Sequence, residues 1–126
     1  MASSEKRILI CDDDPMIRKL LNKFLDMLGC EVVGQGANGS EAVALYNKTK
    51  PDLTLMDIDM PDVNGVTALN EILNIDSNAR VIMLSALDDT SVAESCINKG
   101  AIDYIQKGIS PDNLYKALEG IVAKEI

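Results

Sequence analysis

The 126-residue chain contains no histidine and no tryptophan, and its aromatic side chains amount to three tyrosines and one phenylalanine. Without imidazole it can neither bind zinc through histidine, nor run a Ser-His-Asp triad, nor carry a phosphohistidine. Any chemistry must rest on carboxylates, hydroxyls or lysine. Cysteine is scarce: Cys11, Cys30 and Cys96 are odd in number and lack metal-ligand spacing. That argues against a disulfide framework and for a reducing compartment, with the thiols read as small buried hydrophobes. Positive charge is in the minority, 12 basic against 20 acidic side chains, for a net charge of −8. Such a surface offers nucleic acid neither an attractive field nor a stacking platform, so no direct nucleic-acid binding is expected. No run reaches the roughly 18 apolar residues of a membrane span, and residues Met1 to Arg7 are too polar for a secretory signal. The expected location is cytoplasmic, with no membrane partner.

What is present is an ordinary globular composition, 47% hydrophobic and 25% charged. Short β-branched apolar runs alternate with longer segments of helical period, the signature of a parallel sheet with crossover helices. The strands are predicted at Arg7 to Cys11, Cys30 to Gly34, Asp52 to Met56, Arg80 to Leu84 and Ile102 to Gln106. Asp14 and Pro15 open a first helix whose stripe is Ile17, Leu20, Leu21, Phe24, Leu25 and Leu28, and Gly29 closes it. Asn38 and Glu41 have capping-box spacing for a second helix. The third follows Asn64-Gly65 with Val66, Leu69, Ile72 and Leu73 facing inward. A fourth runs from about Thr90 to Lys99 and ends at Gly100. The fifth starts at Ser110-Pro111 and carries Leu114, Leu118, Ile121 and Val122 on one face. No linker or repeat interrupts the series. The expectation is one α/β domain over 1–126, with its core at about 5–125: a (βα)5 doubly wound parallel sheet of strand order 2-1-3-4-5, flavodoxin-like.

In such sheets ligands bind beyond the carboxyl ends of the strands, where the connections reverse direction. Here strand one ends in Asp12-Asp13-Asp14, strand three in Asp57-Ile58-Asp59 and strand four in Ser85-Ala86, while Lys107 follows strand five. Each has a bland explanation taken singly: a helix cap for Asp14, loop polarity for Asp59, a strand-end hydroxyl for Ser85, a solvated charge for Lys107. Together they are harder to explain as solvation, because converging carboxylates repel unless a cation sits among them. Few oxygen ligands with retained waters suit Mg²⁺, or Mn²⁺ in its place. A carboxylate, a metal, an ammonium and a hydroxyl are the parts needed to move a phosphoryl group onto a carboxylate.

Leu9-Ile10-Cys11-Asp12-Asp13-Asp14-Pro15, the run from Leu55 through Asp57-Ile58-Asp59-Met60-Pro61 to Gly65, Met83-Leu84-Ser85-Ala86 and Tyr104-Ile105-Gln106-Lys107 resemble, in order, the response-regulator receiver domain of two-component signalling. The likeness covers about residues 5 to 125. It implies that Asp57 is the phosphoacceptor, that Asp12, Asp13, Asp57 and the backbone carbonyl of Asp59 hold Mg²⁺, and that Ser85, Ala86 and Lys107 bind the phosphoryl group. It also implies that Tyr104 moves with Ser85 as a switch, altering the face of helix four, strand five and helix five; plain packing is the competing reading of Tyr104. The implied partners are a sensor histidine kinase or histidine phosphotransfer protein and a downstream output domain or effector protein. A homodimer is compatible with the resemblance. The implied role is that of a phosphoacceptor that assists its own phosphorylation and dephosphorylation rather than an enzyme.

Three positions bear on how this chain compares with the family. Its site lysine is usually followed by a cis proline, whereas Gly108 stands here. Since a non-proline cis bond costs about 2.5–4 kcal/mol, a trans peptide is expected. Asp59 and Leu87 occupy places that influence access of water to the phosphoaspartate.

Other classes fit less well. Gly34-Gln35-Gly36-Ala37-Asn38-Gly39 matches a dinucleotide fingerprint but follows the second strand instead of the first, at a sheet edge. Asp57-Ile58-Asp59 has the D-x-D form of a haloacid-dehalogenase phosphatase, whose nucleophile belongs on the first strand. An EF-hand reading fails because Asp62 stands where glycine is needed and Ala68 where glutamate is needed. A receiver-like interaction module that is never phosphorylated is the non-chemical alternative.

Overall fold

A computed structural model describes residues 6–125. The strands are β1 (Arg7–Cys11), β2 (Glu31–Gly36), β3 (Leu53–Asp57), β4 (Val81–Ser85) and β5 (Asp103–Gln106). The helices are α1 (Pro15–Met27), α2 (Gly39–Thr49), α3 (Gly65–Ile75), α4 (Thr90–Lys99) and α5 (Pro111–Glu125), with a single 3₁₀ turn over Leu87–Asp89 leading into α4. All pairings are parallel and the sheet order is β2-β1-β3-β4-β5. This is the doubly wound, flavodoxin-like architecture expected from the alternating periods.

Strand side chains alternate between two cores. Ile8, Ile10, Leu53, Leu55, Ile82, Leu84 and Ile105 pack against Leu21 and Leu25 of α1 and Leu114, Leu118 and Ile121 of α5. Leu9, Cys11, Met56, Val81 and Met83 pack on the other face against α2, α3 and α4 through Ala42, Tyr46, Leu69, Ile72, Ala93 and Cys96. All three cysteines are buried thiols outside any disulfide, and burial pushes the Cys11 thiol up to about 12. They are packing residues.

Helix starts follow the caps. Asp14 accepts from the Met16 N–H at 2.9 Å, with Pro15 at the first helical position. Asn38 accepts from Glu41 N–H at 2.8 Å, while the Glu41 carboxylate reaches back one residue further than a capping box requires, to Ala37 N–H at 2.7 Å. Asn64 caps α3 and Ser110 accepts from Asn113 N–H.

The strand boundaries differ from the sequence reading in one consistent way. β2, β3, β4 and β5 each begin one residue later than expected, β3 and β4 also end one later, and β2 runs on to Gly36. Asp57 and Ser85 are therefore the last residues of their strands and take part in the ladder, rather than lying in the loops beyond. The cause is interstrand bonding, which hydrophobic pattern does not register. Asp12 N–H donates to the Gly36 carbonyl at 3.0 Å and Ile58 N–H to the Leu84 carbonyl at 3.1 Å, carrying each ladder past its apolar run.

The glycine-rich run at 34–39 serves packing rather than tight turns. A Cβ at Gly34 would press on the side chains of Leu9 and Leu45, and one at Gly36 on the backbone of Ala42, so both let α2 lie close on β2. β2 is an edge strand, away from the β1/β3 switch point where a dinucleotide would bind. None of the described helices is long and apolar enough to cross a membrane.

Candidate functional site

Register builds the site. Cys11 pairs with Met56, so Asp12 and Asp57 follow side by side at the ends of β1 and β3. Ser85 pairs with Gln106, which places Lys107 one step beyond β4, its N–H donating to the Ser85 carbonyl at 2.9 Å. Residues 95 positions apart in sequence thus meet: Lys107 Nζ lies 3.1 Å from Asp12 Oδ2 and 3.1 Å from Asp57 Oδ1.

One carboxylate oxygen each from Asp12, Asp13 and Asp57 lies within 4.8 Å of the others. Asp12 is fully buried and Asp57 is 2% exposed, whereas Asp13 faces solvent at the mouth. Asp12 and Asp57 share the Lys107 ammonium and Asp13 adds a third carboxylate, so the pocket is rich in negative charge. Burial, and then the neighbouring Asp12, push the Asp57 carboxyl up to about 7 against the opposing pull of Lys107. Burial works against the Lys107 ammonium, but Asp12 and Asp57 outweigh it and hold it charged above the usual lysine range.

The backbone supports the carboxylates. Asp14 N–H donates to Asp12 Oδ1 at 2.9 Å, and Asp59 N–H approaches Asp57 Oδ1 at 3.3 Å. Arg18 Nη1 donates to the Asp12 carbonyl at 2.6 Å, fixing the β1–α1 corner. Sequence reading passed over Arg18; its place one helical turn after Pro15, on the face of Asp14, is the signal that could have found it. The Asp59 carboxyl, in solvent, faces Asp89, and their mutual hydrogen bond raises the Asp89 carboxyl above the ordinary range. The pair brings acids from the loops after β3 and β4 face to face, a proximity that spacing in sequence does not announce.

Among the described residues, three buried side-chain oxygens have no hydrogen-bond partner: Asp57 Oδ2, Ser85 Oγ and Thr54 Oγ1. Two of them end neighbouring strands at the pocket. Thr54 lies three residues earlier on β3, fully buried, and its orphan hydroxyl is a cost with no local return. Thr54→Val is expected to stabilise the protein by about 1 kcal/mol in urea denaturation while leaving the carboxylate–lysine pocket unchanged. A loss of stability in Thr54→Val would show that the hydroxyl is satisfied after all.

Tyr104 is half-buried and packs on the α2–α4 core, on the sheet face that also carries Ser85. Ala86 is half-buried between Ser85 and the 3₁₀ turn. The Lys107-Gly108 peptide is trans, as expected without proline. Lys107 meets an acidic residue at the end of each of two neighbouring strands, Asp12 just after β1 and Asp57 at the end of β3.

Fold and pocket together define a flavodoxin-like α/β domain with an acidic, lysine-bridged site at its strand switch point. Comparison with known proteins narrows that class to one family. The family model for the response regulator receiver domain matches residues 8–119, and the chain belongs to that family: it is a receiver domain of the two-component response regulators. Its relatives include the chemotaxis protein CheY of Thermotoga maritima, 40% identical over 92% of this chain and 97% of that protein. CheY of Bacillus subtilis is 43% identical over 89% and 93%. Among solved structures, the response regulator domain of Thermotoga maritima CheB superposes with a TM-score of 0.86 at 33% identity, covering 97% of each chain. A chain of the CheX-CheY-BeF3-Mg²⁺ complex from Borrelia burgdorferi gives 0.85 at 32% identity, covering 94% of this chain and 90% of that one.

Proposed function

We propose that Asp57 accepts a phosphoryl group from the phosphohistidine of a sensor kinase or phosphotransfer protein, in a Mg²⁺-dependent step, and that this switches the surface made by α4, β5 and α5. The observation that carries the reading is the buried, unpartnered Oδ2 of Asp57, set among Asp12, Asp13 and Lys107 at the mouth of the sheet. As Asp57 Oδ2 forms its bond to phosphorus, the phosphorus–nitrogen bond of the donor breaks and the electron pair leaves with the donor's imidazole, a group this chain does not possess. Oδ1 is held meanwhile by Lys107 and the Asp59 N–H, which fixes the carboxylate plane.

The residues fit a hard divalent cation: three clustered carboxylates exceed the single ammonium available, and the carbonyl of Asp59 adjoins them in sequence. Asp12, Asp13, Asp57 and that carbonyl would hold Mg²⁺, with Mn²⁺ as substitute. When bound, the ion neutralises the carboxylates and the oxygens of the incoming phosphoryl group. A complex of CheX, CheY, BeF3 and Mg²⁺ is known for the Borrelia burgdorferi proteins.

Lys107 already bridges Asp12 and Asp57 and turns to the phosphoryl oxygens once Asp57 is phosphorylated. Ser85 Oγ, unpartnered before transfer, gains an acceptor in the product. Its movement carries Ala86 and the 3₁₀ turn with it, and Tyr104, on the same sheet face, fills the space on the α4–β5 side. The two-state shift from mostly off to mostly on requires a preference of about 5.5 kcal/mol. A cytoplasmic phosphoacceptor of this kind assists its own phosphorylation and hydrolysis without turning over a substrate, and reads out through an output domain or effector protein.

Intact mass after incubation with acetyl phosphate tests the reading. Wild type is expected to gain one phosphoryl adduct that requires Mg²⁺, and Asp57→Asn none. A folded wild type that gains no adduct at any Mg²⁺ concentration, or an Asp57→Asn variant labelled equally, would overturn it.

A further inference from the structure

The loop from Ile58 to Asn64 carries Asp59 and is closed at both ends by α3. Gly65 N–H donates to the Ile58 carbonyl at 2.8 Å, and the Asn64 side chain accepts from Thr67 N–H at 3.0 Å. A Cβ at Gly65 would collide with the Asp57 carbonyl, so the first residue of α3 lies directly on the end of β3. Met60 is buried in the α2–α4 core. The tip of the loop is held differently. Asp62 has φ +70°, a left-handed conformation that costs a non-glycine residue energy unless its surroundings hold it there. Ser40 Oγ donates to Asp62 Oδ2 at 2.6 Å, and the Val63 carbonyl occupies the space where a Cβ of Gly39 would stand. Both contacts come from the first turn of α2, a helix that contributes no residue to the pocket itself.

We propose that this first turn of α2 positions the metal site: Ser40, through Asp62, and Gly39, by admitting the Val63 carbonyl, hold the loop so that the Asp59 peptide stays against Asp57. The inference rests on the Mg²⁺ reading above, in which the Asp59 carbonyl is a ligand. The chain of contacts is short. Asp59 is three residues from Asp62, its N–H is 3.3 Å from Asp57 Oδ1, and buried Met60 between them leaves the segment little freedom except at its tip. A ligand carbonyl on such a loop needs its supports as a ligand histidine needs the partner on its far nitrogen. Ser40 is thus a positioning residue. Its hydroxyl bonds Asp62 and not the carboxylate cluster or Lys107, so its effect is on loop order alone.

The test uses Ser40→Ala, an exposed substitution inside a helix that should leave the fold intact, with Ser40→Thr as the rescue that keeps the hydroxyl. Mg²⁺ binding by titration calorimetry and, separately, amide hydrogen exchange at Asp59 and Met60 in metal-free protein are measured for all three. Ser40→Ala is expected to weaken Mg²⁺ binding about fivefold and to speed exchange at both amides, and Ser40→Thr to restore both. Equal Mg²⁺ affinity in wild type and Ser40→Ala overturns the proposal. Should wild type itself bind no Mg²⁺, the metal reading fails first, and unchanged exchange at Asp59 in Ser40→Ala would then overturn the positioning role as well, while faster exchange would uphold it.

Discussion

Lys107→Met is expected to destabilise the metal-free protein by about 3 kcal/mol at pH 8, measured by urea denaturation, the low end of what an uncompensated buried charge costs. Methionine keeps the length and most of the volume of the side chain, so the effect isolates the ammonium. Lys107 is only 20% exposed, and both of its partners, Asp12 and Asp57, are almost fully buried. Removing it leaves their repulsion unopposed. The penalty stays near the low end because the pocket has an escape: Asp57, whose pKa is already about 7, takes up a proton and is neutralised. The same escape gives the prediction a second signature. At about pH 5, where Asp57 is protonated in both proteins, the cost of the substitution should shrink by at least half. A cost that does not vary between the acid and alkaline conditions would mean that Lys107 contributes packing rather than charge.

The second large effect is the pH dependence of wild-type stability in the absence of divalent ions. Asp57 has its folded pKa raised from 3.8 to about 7, by burial first and by Asp12 second. The folded protein therefore binds more protons than the unfolded chain between these values. Stability from this group is fully present below about pH 4 and declines as pH rises to about 7, by on the order of 4 kcal/mol in total. Lys107 acts over a different range. Its raised pKa contributes stability throughout the acid and neutral range, lost only at alkaline pH, so it does not mask the decline. Asp57→Asn should remove the slope, matching wild type near about pH 4 and exceeding it by a few kcal/mol at about pH 8. Saturating Mg²⁺ should close most of that gap by stabilising wild type more than the variant, which lacks one of the carboxylate ligands. Parallel pH curves for the two proteins would refute the electrostatic account of the pocket.

Both effects have a common origin: buried carboxylates crowded around one ammonium carry a repulsion that a proton or a cation relieves. That strain is legible in part from sequence. Runs of acids at the ends of predicted strands one and three, and a lysine after strand five, already implied a shared crevice, because the fold class states where such ends converge. Asp57 itself was located by motif, yet its burial was not. Placing it beyond the strand, as periodicity suggested, would leave it in a loop; the Asp57–Leu84 pairing puts it inside the ladder and hence out of water. Thr54 is a similar case. Its position in an apolar run marks it as buried, but only the packing around it shows that its hydroxyl finds no partner.

Contacts between segments distant in sequence were the least visible. Glu41 has the spacing of a capping box and in fact bonds Ala37, a difference of one residue that caps of this kind cannot resolve from spacing. The glycines at 34, 36 and 39 have the spacing of a nucleotide fingerprint. They serve the close approach of α2 to β2 and to the loop after β3, which depends on what lies opposite each missing Cβ. Ser40 and Asp62 are ordinary polar residues until the fold brings them to 2.6 Å.

The sequence by itself determined the class of the molecule: alternating apolar periods and caps at Asp14 and Asn38 specify a doubly wound α/β domain with polar strand ends, and the resemblance of those strand-end motifs to receiver domains pointed to the family. These are local signals, set by backbone propensity and by the repeat lengths of helix and strand. Tertiary structure alone decided how many carboxylates share one ammonium, which oxygen of Asp57 is left free, and which helix steadies the loop that carries Asp59. Those properties depend on interstrand register and on close approach between residues tens of positions apart, and neither is encoded in any local window of the chain.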